Sequence, residues 1–256
     1  MTGDTLVIPD ELVRRDTLAL VALLRQESVQ RVFLPPLVLQ HIAEFCTQTD
    51  VVPRSLRDVI TAGEQLRISA EITEFFARLE DCQLHNYYGP TETHVVTALV
   101  LSGEPQRWPT LPSIGRPISN TQVYILDERR QLAPRGVIGE VYIAGAGVSR
   151  GYHDRPGLTA ERFVCDPFCR DVGARMCRSG DLGRWSSVGT IEYLGRNDQQ
   201  VKLRGYRVEL EEIESRLLGI VGVREAVVIA RDDAPGDKRL VGYIVPVERA
   251  GGGRRS

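Results

Sequence analysis

At 256 residues the chain is long enough for one large domain or two unequal ones, each with a core of its own. Its 32 Lys and Arg against 34 Asp and Glu leave a formal net charge of -2, which gives no electrostatic reason to expect nucleic acid or an anionic membrane as partner. Hydrophobic residues at 42% and charged residues at 26% match a soluble globular chain; no run approaches the roughly 20 apolar residues of a membrane span, and the start is no basic-then-apolar leader, so a cytoplasmic protein is expected.

In chain order, short β-branched runs alternate with helical patterns. Strands are expected at residues 5–9 and 31–34, and helices at 16–26 and 37–47. Asp16 is placed to cap the first helix, whose Leu18, Val21, Ala22 and Leu24 share a face, and Pro35 and Pro36 stop the strand before the second. The pattern repeats with a strand at 58–62, a helix at 69–79 and a strand at 82–88. This rhythm predicts an α/β layer over residues 1–94, a parallel sheet flanked by helices. From Val95 helical periodicity fades, and strand-like runs at 97–101, 121–126 and 140–143 separated by Gly and Pro turns predict a β-rich part over 95–197. Beyond it, an alternating segment at 199–208, a helix at 209–218 and strands at 226–231 and 240–246 predict a small α+β unit over 198–249, with a tail at 250–256.

Two local patterns point elsewhere and are set aside. The segment Gly147-Val148-Ser149-Arg150-Gly151 matches a G-x-S-x-G nucleophile elbow, but the last histidine, His153, stands only four residues on, so the base such a serine needs later in the chain is missing. A glycine-rich turn is the better reading. The five cysteines, Cys46, Cys82, Cys165, Cys169 and Cys177, are odd in number and include no C-x-x-C pair, which fits reduced thiols rather than a disulfide framework or a zinc site. There is also no G-x-x-x-x-G-K-[ST] loop.

The chemistry-bearing segment is Asn86-Tyr87-Tyr88-Gly89-Pro90-Thr91-Glu92-Thr93, which falls where a buried strand should end. Ligands of open α/β sheets bind beyond the carboxyl ends of the strands. Gly-Pro turns the chain, Thr91 and Thr93 offer hydroxyls to phosphate, Glu92 offers a hard oxygen to magnesium, and Tyr88 offers a flat face to a base.

Residues 86–93 resemble the N-x-Y-G-P-T-E signature of the adenylate-forming superfamily. Three further segments resemble its other signatures in the expected order. Residues 139–152, from Gly139-Glu140-Val141 to Arg150-Gly151-Tyr152, are similar to G-E-L-x-I-x-G-x-G-V-A-R-G-Y. Arg178-Ser179-Gly180-Asp181-Leu182 is similar to Y-R-T-G-D-L. Residues 195–210 are similar to G-R-x-D-x-Q-V-K-I-R-G-x-R-I-E-L. The Q-V-K form, with Thr61-Ala62-Gly63-Glu64-Gln65, resembles the amino-acid adenylation domains of nonribosomal peptide synthetases more than acyl- or aryl-CoA ligases.

The resemblance implies attack of an amino-acid carboxylate on the α-phosphate of ATP, with Mg2+, followed by transfer to the phosphopantetheine thiol of a peptidyl carrier protein beside a condensation domain. It implies nucleotide contacts from Gly63, Glu64, Gln65, Asn86, Tyr88, Gly89, Thr91, Asp181 and Arg196, catalytic roles for Thr91, Glu92 and Lys202, and Glu92 as metal ligand. It further implies a side-chain pocket lined by Phe33, Ile60, Ala62, Tyr87, Val95 and Val96, a hinge at Asp198, and a large α/β subdomain with a barrel-like part followed by a small α+β one. A family tyrosine is replaced by Cys177. The family's phosphate loop and amino-binding aspartate are expected before residue 1, and a terminal lysine after residue 256. A chain lacking them would be a poor enzyme, so a non-catalytic remnant that binds nucleotide or partner domains is the competing reading.

Overall fold

The computed structural model describes residues 5–197, 201–203, 206–232 and 238–247, with side chains omitted at 202, 206, 207, 232 and 238. The chain divides into two compact units, Met1–Asn197 and Asp198–Ser256.

In the first unit, α1 (Glu11–Arg15) and α2 (Thr17–Gln26) begin at Asp10 and Asp16, whose carboxylates accept from the amides of Val13 and Ala19. Then come β1 (Arg31–Leu34), α3 (Pro36–Thr49), β2 (Asp58–Thr61), α4 (Ala70–Ala77), β3 (Gln83–Tyr88), β4 (Thr97–Leu101) and β5 (Arg116–Pro117). These strands form one sheet in the order β1-β2-β3-β4-β5, parallel through β3 and antiparallel from β4 onward. The expected parallel sheet is therefore mixed. Strand 97–101 does not open the β-rich part; it pairs with β3 because residues 89–95 turn the chain straight back along it. Residues 5–9 form no strand, and Leu6 and Ile8 are exposed.

Alternation along the strands sorts the sheet into two faces. Leu34, Val59, Leu84 and Leu101 join Val21 and Leu24 of α2, Leu39 and Ile42 of α3, and Ile72 and Phe75 of α4 in the first core. All three helices thus cover one face. The other face carries Arg31 and Phe33, Asp58 and Ile60, and His85 and Tyr87, with Phe33 62% exposed.

The β-rich part comprises β6 (Thr121–Leu126), β7 (Gly139–Gly145), α5 (Pro156–Arg162), β8 (Phe163–Cys165), β9 (Arg175–Trp185) and β10 (Ile191–Arg196). The antiparallel sheet runs β10-β9-β7-β6, with β8 on β9. Along β7, Val141 and Ile143 enter a second core with Val123, Ile125 and Ile191, whereas Tyr142 and Ala144 face a third with Leu126 and Met176. The bond from Ile114 N to Ile191 O, 2.8 Å, stitches the two sheets together.

In the second unit β11 (Val201–Leu203) pairs antiparallel with β12 (Tyr206–Val208), followed by α6 (Leu210–Leu218) and the antiparallel pair β13 (Val223–Asp232) and β14 (Lys238–Pro246). Leu217 of α6 lies against Gly242, on the face that also carries Val228. An α/β layer, then a β-rich sheet, then a small α+β unit is the order of parts that the resemblance implies.

Candidate active site

The loop after β3 is built by steric necessity. A Cβ on Gly89 would lie 1.6 Å from the carbonyl oxygen of His94, so only glycine lets the chain fold back so tightly. Thr93 N donates to Pro90 O at 3.0 Å, Val96 N donates to Tyr88 O at 2.8 Å, and His94 takes a left-handed φ of 58°. Asn86 is pinned below the loop by its Nδ2 donating to Ser113 O at 2.9 Å. Thr91 is exposed, while Thr93 and Glu92 are buried, Glu92 at 7% exposure.

Three segments far apart in sequence converge on Asp181, which is 1% exposed. Tyr88 Oη donates to its Oδ2 at 2.5 Å, and Arg196 Nη1 donates to its Oδ1 at 2.7 Å. Arg196 Nη2 reaches Ser179 O at 3.1 Å, and Ser179 Oγ accepts from Asp181 N at 3.0 Å while donating to Val141 O at 2.7 Å. Burial, and then the neighbouring Asp181 charge, push the Tyr88 phenol well above its usual range, so it stays a donor. Tyr88 was expected to show a ring face to a base. Instead it is 6% exposed, and its ring packs with Val96, Ile114 and Tyr193, because β3 turns its last side chain into the second core.

A second network surrounds Glu92. Tyr152 Oη donates to Glu92 Oε1, Ser149 N donates to Glu92 O at 2.9 Å, and a Cβ on Gly147 would lie 2.8 Å from Thr93 O. The glycine-rich segment therefore lies on the 89–93 loop, and Ser149 acts through its backbone rather than as a nucleophile. Arg178 spans both oxygens of Glu140 at 2.9 and 3.0 Å, and this pairing raises its already high pKa.

Because β1, β2 and β3 are parallel, residues 62–65 and 89–93 leave the same edge of the sheet. Gly63, with φ 97°, Glu64 and Gln65 lie on this edge. On the open face Phe33, Ile60 and His85 stand in one row, and Tyr87 follows two residues further along β3. Val96, expected as a pocket wall, is instead a buried core residue, while Ala62 and Val95 are half-buried. Lys202 stands on β11 in the second unit, and Asp198 lies outside the described residues. Tyr152, Ser149 and Ser179 were missed as site residues, although all three stand inside the quoted signatures.

The family model described as AMP-binding enzyme matches residues 1–153. The chain belongs to this family. Among its relatives, gramicidin S synthase 2 of Brevibacillus brevis is 44% identical over 245 residues, 96% of this chain and 5% of that protein. Tyrocidine synthase 2 of Brevibacillus parabrevis is 46% identical over 243 residues, 95% of this chain and 7% of that protein. The structure of holo-PA1221, an NRPS protein containing adenylation and PCP domains, superposes with TM-score 0.78 at 27% identity, over 93% of this chain and 40% of that one. The chain thus spans a small part of the synthetases it matches.

Proposed function

We propose that this chain serves the ATP-dependent activation of an amino acid as aminoacyl-AMP, followed by transfer to a carrier-protein phosphopantetheine thiol within a nonribosomal peptide synthetase. The observation that carries the reading is the convergence of Tyr88, Asp181 and Arg196, from three separate signatures, beside the loop that bears Glu92. In the reaction a carboxylate oxygen of the amino acid bonds to the α-phosphorus, the bond to the bridging oxygen breaks, and pyrophosphate leaves. Little covalent chemistry falls to the protein, so its contribution is positioning and charge.

Asp181 takes the ribose hydroxyls. Arg196 donates to one of its carboxylate oxygens and Tyr88 to the other. Tyr88, the neutral donor, is the one a ribose hydroxyl displaces, whereas the Arg196 bond is charge-assisted. Among the described residues no three His, Cys, Asp or Glu side chains gather as a metal site. Glu92 with the Thr91 and Thr93 hydroxyls fits Mg2+ of another kind, held through one carboxylate and the phosphates of the substrate. When bound, the ion would neutralise charge on those phosphates. Lys202 is the further cation of the reading.

Phe33, Ile60 and Tyr87 form the floor of the amino-acid pocket. The polar side chains on the same face, Arg31, Asp58 and His85, are matched among themselves: His85 Nε2 lies 2.8 Å from Asp58 Oδ1, and Arg31 Nη2 donates to Asp58 Oδ2 at 3.0 Å. Burial alone would raise the Asp58 pKa, but these hydrogen bonds outweigh it and hold the carboxyl below its usual value. No charge there calls for a charged substrate, so a medium-sized aliphatic amino acid is the proposed class, gaining roughly 1.5–3 kcal/mol from full burial. Amino-acid-dependent ATP–pyrophosphate exchange by the intact polypeptide, over a panel of amino acids, tests this. Exchange best with valine or leucine supports it. Exchange best with aspartate, lysine or arginine refutes the substrate class, and no exchange with any amino acid refutes the activity.

A further inference from the structure

We infer that Tyr152 is a positioning residue for Glu92, holding the carboxylate in the rotamer from which it meets the metal–nucleotide complex. The inference rests on the reading of Glu92 as the metal-facing group. Tyr152 is unlike a casual neighbour because several contacts fix its own setting. Its amide donates to Thr159 Oγ1 at 2.9 Å, and its ring meets Phe163 edge-on with centroids 5.4 Å apart. The preceding Gly151, φ 142°, could not be replaced: a Cβ there would lie 2.4 Å from Thr159 Cγ2. Arg175 ties down the same segment, its Nη1 donating to Arg150 O at 3.0 Å and its Nη2 to Ser149 O at 3.3 Å, with the guanidinium 5.8 Å from the Phe163 ring centre.

This braced segment reaches Glu92 twice, through Ser149 N to the main-chain carbonyl and through Tyr152 Oη to the side chain. The backbone contact sets where the residue sits; the hydroxyl sets where its carboxylate points. The Glu92 side chain has three torsions to fix, and a half-buried donor on one oxygen restrains them before any ligand arrives. Partners that orient a metal-binding side chain in this way are commonly worth 10–100-fold in metal affinity.

The test uses the intact polypeptide with Mn2+ as a spectroscopic stand-in and ATP as its carrier. Tyr152→Phe should raise the dissociation constant of Mn2+·ATP, read by electron paramagnetic resonance, by about tenfold. AMP affinity in excess EDTA should be unchanged, a readout that a general loss of structure would move. In a Glu92→Gln background the same substitution should add less than about twofold, since its route to the metal is already cut. Unaltered Mn2+·ATP affinity, an equal loss of AMP affinity in EDTA, or a full additional loss on top of Glu92→Gln would each overturn the assignment. If Glu92→Gln itself leaves Mn2+·ATP affinity untouched, the metal role of Glu92 falls, and the assignment of Tyr152 with it; that result is separable because the parent substitution is then silent.

Discussion

Asp181→Ala is the substitution whose effect on stability follows most directly from the geometry. It removes the carboxylate that both Arg196, with a side chain 9% exposed, and the Tyr88 hydroxyl use as acceptor. Taking one member from a buried ion pair leaves the other charge uncompensated, at a cost of about 3–5 kcal/mol. For a unit of this size each kcal/mol moves the melting temperature by about 2–4 °C, so a fall on the order of 10 °C is expected, read by circular dichroism without nucleotide. Asp181→Leu combined with Arg196→Met removes both charges and should recover more than half of the loss, because the penalty lies in the orphaned guanidinium rather than in the missing pair. A fall under about 2 °C for Asp181→Ala, or no recovery in the double variant, would refute the view that this pair is buried and interdependent. Loss of adenylation in Asp181→Ala would therefore mix structure with the proposed ribose binding. Asp181→Asn keeps an acceptor for Arg196 and isolates the second effect.

Thr97 Oγ1, on β4 opposite Tyr88, is buried without a hydrogen-bond partner among the described residues, so Thr97→Val should raise the denaturant midpoint, with a gain of up to about 1–3 kcal/mol; a clear loss would mean the hydroxyl is satisfied. Burial raises the phenols of Tyr88, Tyr124 and Tyr142 in the folded chain above the usual value near 10. The unfolded chain then loses these protons first, so their contribution is complete below about pH 10 and is lost as pH rises above it. The urea midpoint should fall as pH rises above about 10, less so in Tyr88→Phe, and an equal slope would count against Tyr88 as the dominant group. Burial pushes the Cys46 thiol up to about 11 and, with Asp58 adding to the effect, Cys82 to about 12. At pH 8 a thiol reagent should label the exposed Cys165 and Cys169 quickly and Cys46 only after denaturation, as peptide mapping would show.

Much of the helical layout was legible from short-range rules. Asp16 caps α2 as its place before an apolar stripe implies, and Pro36 at the start of α3 follows from a ring that suits the first helical turn. What stayed hidden depends on partners. Residues 5–9 have the composition of a strand but pair with nothing described, and composition cannot reveal that. The membership of 97–101 in the first sheet depends on the tightness of the loop before it, which only the Gly89–His94 approach discloses. Asp181, Arg196 and Tyr88 could be named from their signatures, yet their mutual hydrogen bonds could not, since the contact joins Tyr88 to a residue on the other sheet. Tyr152 was in plain view at the end of the glycine-rich signature. Spacing gave no hint that it would face Glu92 rather than solvent.

Tyr88 closes a strand of the first sheet, yet its ring is counted among the side chains of the second core. The helix-covered layer and the β-rich half are therefore riveted at one residue, with Gly115 and Ile191 bridging nearby. Neither half can swell or fray locally at this seam without pulling the tyrosine from the other, so the two should melt together and their slowest-exchanging amides should share one opening energy. A fold seamed in this way gains rigidity across both halves, and it surrenders the option of loosening one without the other.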